Sequence, residues 1–288
     1  MAGGIGSRFW PMSTEEYPKQ FHDVLGLGRT LLQLSFDRML MVCPKENIFI
    51  VTNSDYLDLV KEQLPEIGEH QILQEPSRKN TAPCVAYASY KIKTLNPNAT
   101  LIVAPSDHIV MSENSFKNTM DIAIKQSEAE NCLVTLGIKP SRPDTGYGYI
   151  QFLDNVDGSL EDVREVKMFT EKPNFELAQQ FIESGDFYWN SGIFIWSADS
   201  IIDAFSKYLP SMHDSFSEGM KVYNTELEQE FINHTYAECK NISIDYGIME
   251  KAKNVFVVLS DFGWSDLGTW GALYTHIDKD AGQNAIIG

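Results

Sequence analysis

Residues 100–137 read TLIVAPSDHIVMSENSFKNTMDIAIKQSEAENCLVTLG, and the class of the fold can be argued from this stretch alone. Thr100–Ala104 is a brief apolar run closed by Pro105, which predicts a buried strand. Ser115–Glu128 then sets Phe116, Met120, Ala123 and Ile124 on one helical face, and Cys132–Gly137 is a second apolar run of strand length. Strand, helix, strand predicts a βαβ unit, because two parallel strands need a long crossover and a helix is the usual one. Outward from there, Asn47–Val51 repeats the strand signature. Thr30–Val42 repeats the helical one, with Leu32, Phe36, Met39 and Leu40 aligned. The expected class is α/β, with a mostly parallel, doubly wound sheet flanked by helices.

The second half mixes hairpin and helix. Tyr147–Phe152 and Val163–Glu171 flank a turn-rich Asp154–Ser159. Asn174 is placed to cap a helix with Leu177, Ala178, Phe181 and Ile182 inward, and Gly185 to stop it. Ser197–Tyr208 and Thr225–Cys239 read as helices, and Ser243 as the cap of a short one toward Lys251. With no internal repeat and no linker rich in Pro, Gly or Ser, one domain over 1–275 is expected, with halves at 1–145 and 146–275. Residues 276–288 begin a tail.

Composition narrows the function classes. The chain has 288 residues and 23 Lys and Arg against 40 Asp and Glu, a net charge of −17. That balance argues against a basic nucleic-acid surface, while 43% apolar residues suffice for a sizeable core. Apolar runs such as Val255–Leu259 are too short to span a bilayer, and no basic segment followed by an apolar one opens the chain. Cys43, Cys84, Cys132 and Cys239 are scattered, which fits free thiols in a reducing cytoplasm better than a disulfide framework.

Several segments carry chemistry-bearing residues. Ala2-Gly3-Gly4-Ile5-Gly6-Ser7-Arg8 can bring backbone N–H groups close to a polyphosphate, with Arg8 as a forked cation and Lys19 on the same loop system. The plain alternative is a flexible glycine-rich terminus. Asp107 follows a strand end, where open α/β sheets bind ligands, and suits Mg²⁺ as well as it suits an Asx turn. Asp266, in Phe262–Trp270, is a second carboxylate for the same ion. In Glu75–Pro83, which runs into a helical Cys84–Lys93, Asn80 and Thr81 serve either as helix caps or in reading a purine. Glu171-Lys172-Pro173 and Trp189-Asn190-Ser191-Gly192 fit a sugar site or ordinary turns.

Taken in order, AGGIGSRFWP (Ala2–Pro11), YPKQF (Tyr17–Phe21), EPSRKNTAP (Glu75–Pro83), APSDH (Ala104–His108), TGYGYI (Thr145–Ile150), FTEKP (Phe169–Pro173), WNSGIF (Trp189–Phe194), SIDYGIMEK (Ser243–Lys251) and GWSDLGTW (Gly263–Trp270) resemble the mannose-1-phosphate guanylyltransferase (GDP-mannose pyrophosphorylase) family of sugar-phosphate nucleotidyltransferases. The NTAP segment and the WNSG and WSDLG pair look like the guanylyl branch rather than the thymidylyl, uridylyl or adenylyl ones. The resemblance implies a Rossmann-like, mostly parallel mixed sheet, with a nucleotide-binding half followed by a sugar-phosphate-binding half. The implied reaction is GMP transfer from GTP to α-D-mannose 1-phosphate, giving GDP-mannose and pyrophosphate. Mg²⁺ or another divalent cation is the implied cofactor, and no nucleic acid or membrane partner is expected.

Carried over by residue, the resemblance puts Ala2, Gly3, Gly4, Gly6, Ser7, Arg8, Lys19, Glu75, Asn80, Thr81, Ser106 and Asp107 around the nucleotide. Gly146, Tyr147, Glu171, Lys172, Asn190 and Asp245 go to the sugar phosphate. Asp107 and Asp266 hold the metal, and Arg8 and Lys19 complete the catalytic set by neutralising the departing pyrophosphate.

Three departures stand out. The family has a central strand immediately before the glycine loop, and here Met1 leaves no room for it. A truncated or mis-called start, or a poorly folding product, is therefore expected, with unpaired ladders and a void. Lys79 stands where the family usually has Arg, which weakens a forked contact. The family's β-helical tail is missing after Gly288, which leaves the assembly open, a homodimer being one option. Rival readings are a related transferase with another nucleotide or sugar, and a non-catalytic sugar-nucleotide-binding regulatory homologue.

Overall fold

The computed structural model describes residues 1–153 and 162–285, so Asp154–Ser159 and the last three residues lie outside it. In chain order the strands are β1 (Ile50–Asn53), β2 (Ile72–Glu75), β3 (Thr100–Val103), β4 (Ile109–Val110), β5 (Leu133–Ile138), β6 (Tyr149–Phe152), β7 (Val163–Thr170), β8 (Phe187–Ser197), β9 (Val255–Ser260) and β10 (Trp264–Ser265). The helices are α1 (Leu31–Leu40), α2 (Leu57–Gln63), α3 (Thr81–Leu95), α4 (Glu113–Ala129), α5 (Phe175–Ser184), α6 (Ala198–Tyr208), α7 (Pro210–Glu218), α8 (Glu228–Glu238) and α9 (Trp270–His276). The fold is α/β, with a mixed sheet and flanking helices.

Local chemistry sets many of the boundaries. Thr30 and Gln33 form a reciprocal capping box that starts α1. Asn174 accepts the Leu177 N–H to start α5, and Gly185, at φ 80°, ends it. The α4 face expected from the sequence is the buried one: Phe116, Met120 and Ala123 are fully enclosed. The first strand is displaced from the expected Asn47–Val51, because Lys45–Asn47 forms a short 3₁₀ turn and pairing begins at Ile50. All four cysteines are free, and no helix among the described residues is long and apolar enough to cross a membrane.

The sheet is less parallel than the βαβ reading implies. Its order is β3-β8-β5-β9-β7-β6, and within it only β5–β9 pairs parallel. β3 and β5 do run in the same direction, as their α4 crossover requires, but β8 is intercalated between them and antiparallel to both. Phe194 of β8 sits opposite Val103 on one side and Thr135 on the other. The long β8 thereby carries Trp189 and Asn190 from the hairpin region into the same layer as the strand that leads to Asp107.

β1 and β2 form a separate parallel pair. A cavity of about 490 Å³ lies between this pair and β3, lined by Leu32, Phe36, Val51, Val85, Leu101 and Val103 among others. Met1 and Ala2 cross its end: the Met1 amino group donates to Ala104 O at 2.8 Å, Ser106 N to Met1 O at 3.0 Å, and Ala2 N to Val51 O at 2.7 Å. This amounts to one rung of a ladder joining both sheets, and the remaining backbone width is open. The void expected from the sequence is present.

Candidate active site

The glycine loop is pinned through its carbonyls. Gln20 Nε2 donates to Ala2 O at 2.8 Å and Gly4 O at 2.9 Å, Ser13 Oγ to Ile5 O at 2.6 Å, and Thr52 Oγ1 to Ala2 O at 3.1 Å. Among the described residues no protein acceptor takes the N–H groups of Gly3 through Ser7. Carbonyls held inward and a run of free N–H groups make an anion-binding concavity. Gly6 needs to be glycine: its φ is 63°, and a Cβ there would lie 2.8 Å from Lys19 Cβ. Arg8, with 62% of its side chain exposed, projects from the end of this loop.

Lys19 lies beneath the loop, 4% exposed. Its ammonium donates to Asp107 Oδ2 at 2.9 Å, Asp266 O at 2.8 Å and Leu267 O at 3.2 Å. The resemblance assigned Lys19 to the phosphates. Here its three donors are committed to protein oxygens, so it ties the strand end carrying Asp107 to the turn carrying Asp266. Burial by itself pushes the Asp107 carboxyl up, but Lys19, helped by His108, outweighs it and holds Asp107 at about 2. Asp266 Oδ1 accepts from Tyr147 Oη at 2.7 Å and from Gly268 N at 2.7 Å.

Each carboxylate therefore has one oxygen anchored and one with only long contacts. Asp107 Oδ1 is 3.8 Å from His108 Nε2, and Asp266 Oδ2 is 3.9 Å from Arg8. Among the described residues no cluster of three or more His, Cys, Asp or Glu side chains forms a closed metal site. Two hard carboxylate oxygens without a closing shell suit Mg²⁺, which takes one or two protein carboxylates and completes its octahedron with substrate phosphates and water.

A second cluster gathers residues that the resemblance gives to the sugar phosphate. Asn190 Nδ2 donates to Asp245 Oδ1 at 3.0 Å, and Asn190 Oδ1 accepts from Thr135 and the Gly192 N–H. Lys172 Nζ binds Glu171 Oε1 at 2.6 Å, with Lys172 in the left-handed region at φ 47°. Asp245 opens a π-helical turn, Asp245–Met249, a geometry that frequently marks functional positions. Burial, with the Glu171 charge, raises the Asp245 carboxyl to about 7. Among the residues that the resemblance gives to the nucleotide, burial also raises Glu75 to about 7, against the opposing Tyr236 hydroxyl donor at 3.0 Å. Glu75 Oε2 lies 3.0 Å from where a Gly3 Cβ would be.

These raised carboxyls make a pH prediction. The fold retains their protons at pH values where the unfolded chain, titrating near 4, has released them. Their contribution to stability is full below pH ~4 and is lost as pH rises through about 7. Glu75→Gln, a permanently neutral stand-in for the protonated acid, should abolish its share of that loss, so that the variant matches wild type near pH 4 and exceeds it by about 3 kcal/mol above pH 7. Thermal melts of the variant and wild type should therefore diverge steadily from pH 4 to 8. Parallel curves would contradict the shift.

The structure brings together Gly3, Gly4, Gly6, Arg8, Lys19, Asp107, Tyr147 and Asp266, with Gly146 near Arg8: a Gly146 Cβ would lie 3.7 Å from an Arg8 nitrogen. Asn80 and Thr81 are occupied otherwise. Asn80 Oδ1 accepts the Thr81 N–H at the start of α3, and Thr81 Oγ1 takes the Ile244 N–H at 2.9 Å. No hydrogen bond or ion pair among the described residues joins them to the glycine loop. Ser106 meets Met1 at the cavity end. Two residues of the site escaped the sequence reading. Arg142 forks onto Asp144 and lies over Tyr147 and Trp189, at 5.9 and 5.3 Å. Trp264 Nε1 donates to His108 Nδ1 at 3.2 Å, which leaves the imidazole proton on Nε2. The Asp144-Thr145-Gly146 spacing was a usable signal, since Asp144 accepts the Gly146 N–H in an Asx turn.

The Nucleotidyl transferase family model matches residues 1–283. A protein of Escherichia coli named mannose-1-phosphate guanylyltransferase is 38% identical over 100% of this chain, which covers 63% of it. A Salmonella montevideo protein of the same name is 39% identical over 100% of the chain and 61% of its own length. The chain thus spans about three fifths of these relatives. Among solved structures, a Thermus thermophilus protein described as mannose-1-phosphate geranyltransferase superposes with a TM-score of 0.85 at 32% identity, covering 97% of this chain and 78% of that one. A UDP-glucose pyrophosphorylase complexed with UDP-glucose, at TM-score 0.56 and 16% identity, shares the fold over 94% of this chain and 92% of its own. From its glycine loop to its second carboxylate, the chain belongs to the nucleotidyl transferase family.

Proposed function

We propose that the protein transfers GMP from GTP to α-D-mannose 1-phosphate, releasing pyrophosphate. The observation that carries this reading is that Lys19 ties the Asp107 carboxylate to the backbone of the turn bearing Asp266, with an unengaged row of loop N–H groups and Arg8 beside them. The names of the relatives point the same way. A sugar phosphate is already an anionic nucleophile, so no serine, cysteine or histidine has to be activated. The difficulty lies in bringing two polyanions in line at the α-phosphorus, which makes positioning and charge neutralisation the work of the site. The loop N–H groups and Arg8 bind the β- and γ-phosphates and take up charge as pyrophosphate departs. Asp107 and Asp266 would hold Mg²⁺, which supplies charge neutralisation at the α-phosphate when bound. Lys172, Asn190, Glu171 and Asp245 receive the sugar phosphate and its hydroxyls.

Nucleotide choice has a chemical basis at Glu75. Its Oε2, the oxygen that Tyr236 leaves free, can accept from one of the two adjacent donors, N1–H and N2–H, that guanine presents and adenine does not. Side-by-side pyrophosphate release with GTP, ATP, UTP and dTTP, in the presence of mannose 1-phosphate and Mg²⁺, tests the whole reading. GTP should lead clearly, and Glu75→Gln should cut the advantage over ATP by roughly tenfold to a hundredfold, the worth of a charged hydrogen bond. Equal rates with UTP, or no release with GTP, would reject the assignment.

A further inference from the structure

The expectation from sequence put Tyr147 on the sugar phosphate, but its hydroxyl points elsewhere. Tyr147 is 7% exposed, and its ring is held edge-on by Trp189 at 4.9 Å and Trp264 at 5.2 Å. From this fixed ring the hydroxyl donates to Asp266 Oδ1 at 2.7 Å, the oxygen that also accepts the Gly268 N–H. That leaves Oδ2 of Asp266 as the oxygen turned toward Arg8. Trp264 continues the bracket, because it meets His108 edge-on at 5.3 Å and donates to its Nδ1. His108 in turn adjoins Asp107, and its carbonyl is held by buried Arg38 at 3.1 Å. A chain of packed and bonded groups therefore runs from the neighbour of one carboxylate to the other.

We infer that Tyr147 is a positioning residue for Asp266: it selects which carboxylate oxygen faces the cleft and fixes its direction. This rests on the proposed metal role of Asp266, and it removes Tyr147 from direct contact with the sugar phosphate. Ligand carboxylates are commonly oriented by such outer partners, whose loss weakens metal binding tenfold to a hundredfold. The backbone carbonyl of Tyr147 accepts the Lys172 N–H at 3.2 Å. The residue thus has its main chain against the sugar-side strand end and its hydroxyl on the metal side.

Tyr147→Phe keeps the ring and its packing and deletes only the hydroxyl. The test is Mn²⁺ alone titrated into wild type, Y147F and D266N, with free Mn²⁺ read by electron paramagnetic resonance. The apparent KM for Mg²⁺ and for mannose 1-phosphate is measured in parallel. Y147F should weaken Mn²⁺ binding about tenfold and raise KM for Mg²⁺ by a similar factor, with KM for mannose 1-phosphate unchanged within twofold. Unchanged Mn²⁺ binding in Y147F while D266N loses the ion overturns this inference alone, as does a rise confined to KM for mannose 1-phosphate. If D266N binds Mn²⁺ as wild type does, the metal reading of Asp266 fails and this inference fails with it.

Discussion

Asp266→Asn is expected to lower kcat/KM for pyrophosphate release by about a thousandfold or more, the scale on which loss of a principal charge-stabilising group falls. The substitution is close to isosteric. An amide oxygen can still accept from Tyr147 and from the Gly268 N–H, the two donors that now hold Oδ1. The other oxygen becomes an NH₂ group, which presents a donor where a cation ligand is required. Because the local hydrogen bonds survive, the melting midpoint should stay within about 2 °C of wild type, at most about 1 kcal/mol of change. Asp107→Asn differs, because it also removes the counter-charge of the buried Lys19 ammonium, leaving at most a neutral amide oxygen at that 2.9 Å contact, and should destabilise the fold as well. Turnover of D266N near the wild-type level at saturating Mg²⁺ would remove the carboxylate pair from the mechanism.

The second large effect concerns stability. An apolar pentapeptide fused ahead of Met1 is expected to raise the melting midpoint by at least about 10 °C. The cavity of about 490 Å³ runs between the edges of β1 and β3, and Met1 and Ala2 already make one rung to each edge. A strand continued backward from Met1 would extend both ladders and bury several apolar side chains, each worth roughly 1.5–3 kcal/mol. For a chain of this size each kcal/mol moves the midpoint by about 2–4 °C. A Gly/Ser pentapeptide at the same place is the control, since it has the backbone but no side chains to fill the space. Equal midpoints for the two fusions, measured by scanning calorimetry, would show that the cavity does not accept a strand.

What was legible in the sequence was mostly local. Thr30 with Gln33, and Asn174 with Gly185, announce helix ends through backbone chemistry that operates within a few residues. The face of α4 follows from helical periodicity, as does that of α1 at Leu32 and Phe36 but not at Leu40, which is exposed, and the strand at Thr100–Val103 follows from its brief apolar run. The intercalation of β8 between β3 and β5 was not legible, because strand order is decided by pairings between segments far apart in the chain. The same holds for the site. The glycine loop and both carboxylates could be named from their segments. That Lys19 binds Asp107 rather than standing free depends on burial, as does the orientation of the Tyr147 hydroxyl toward Asp266. Asn80 shows the converse: helix capping, the plainer of its two readings, describes the bond it makes, whereas Thr81 instead takes the distant Ile244 N–H.

Lys19 meets the Asp266 carbonyl across 247 positions of chain. During synthesis, at roughly 5–20 residues per second, the lysine emerges early and its last two acceptors emerge near the end. Until then the ammonium has Asp107 as its sole partner of the three. The nascent protein can therefore assemble its glycine loop well before the Asp266 turn exists to meet it, and under the proposed function the site is complete only when the segment around Asp266 leaves the ribosome.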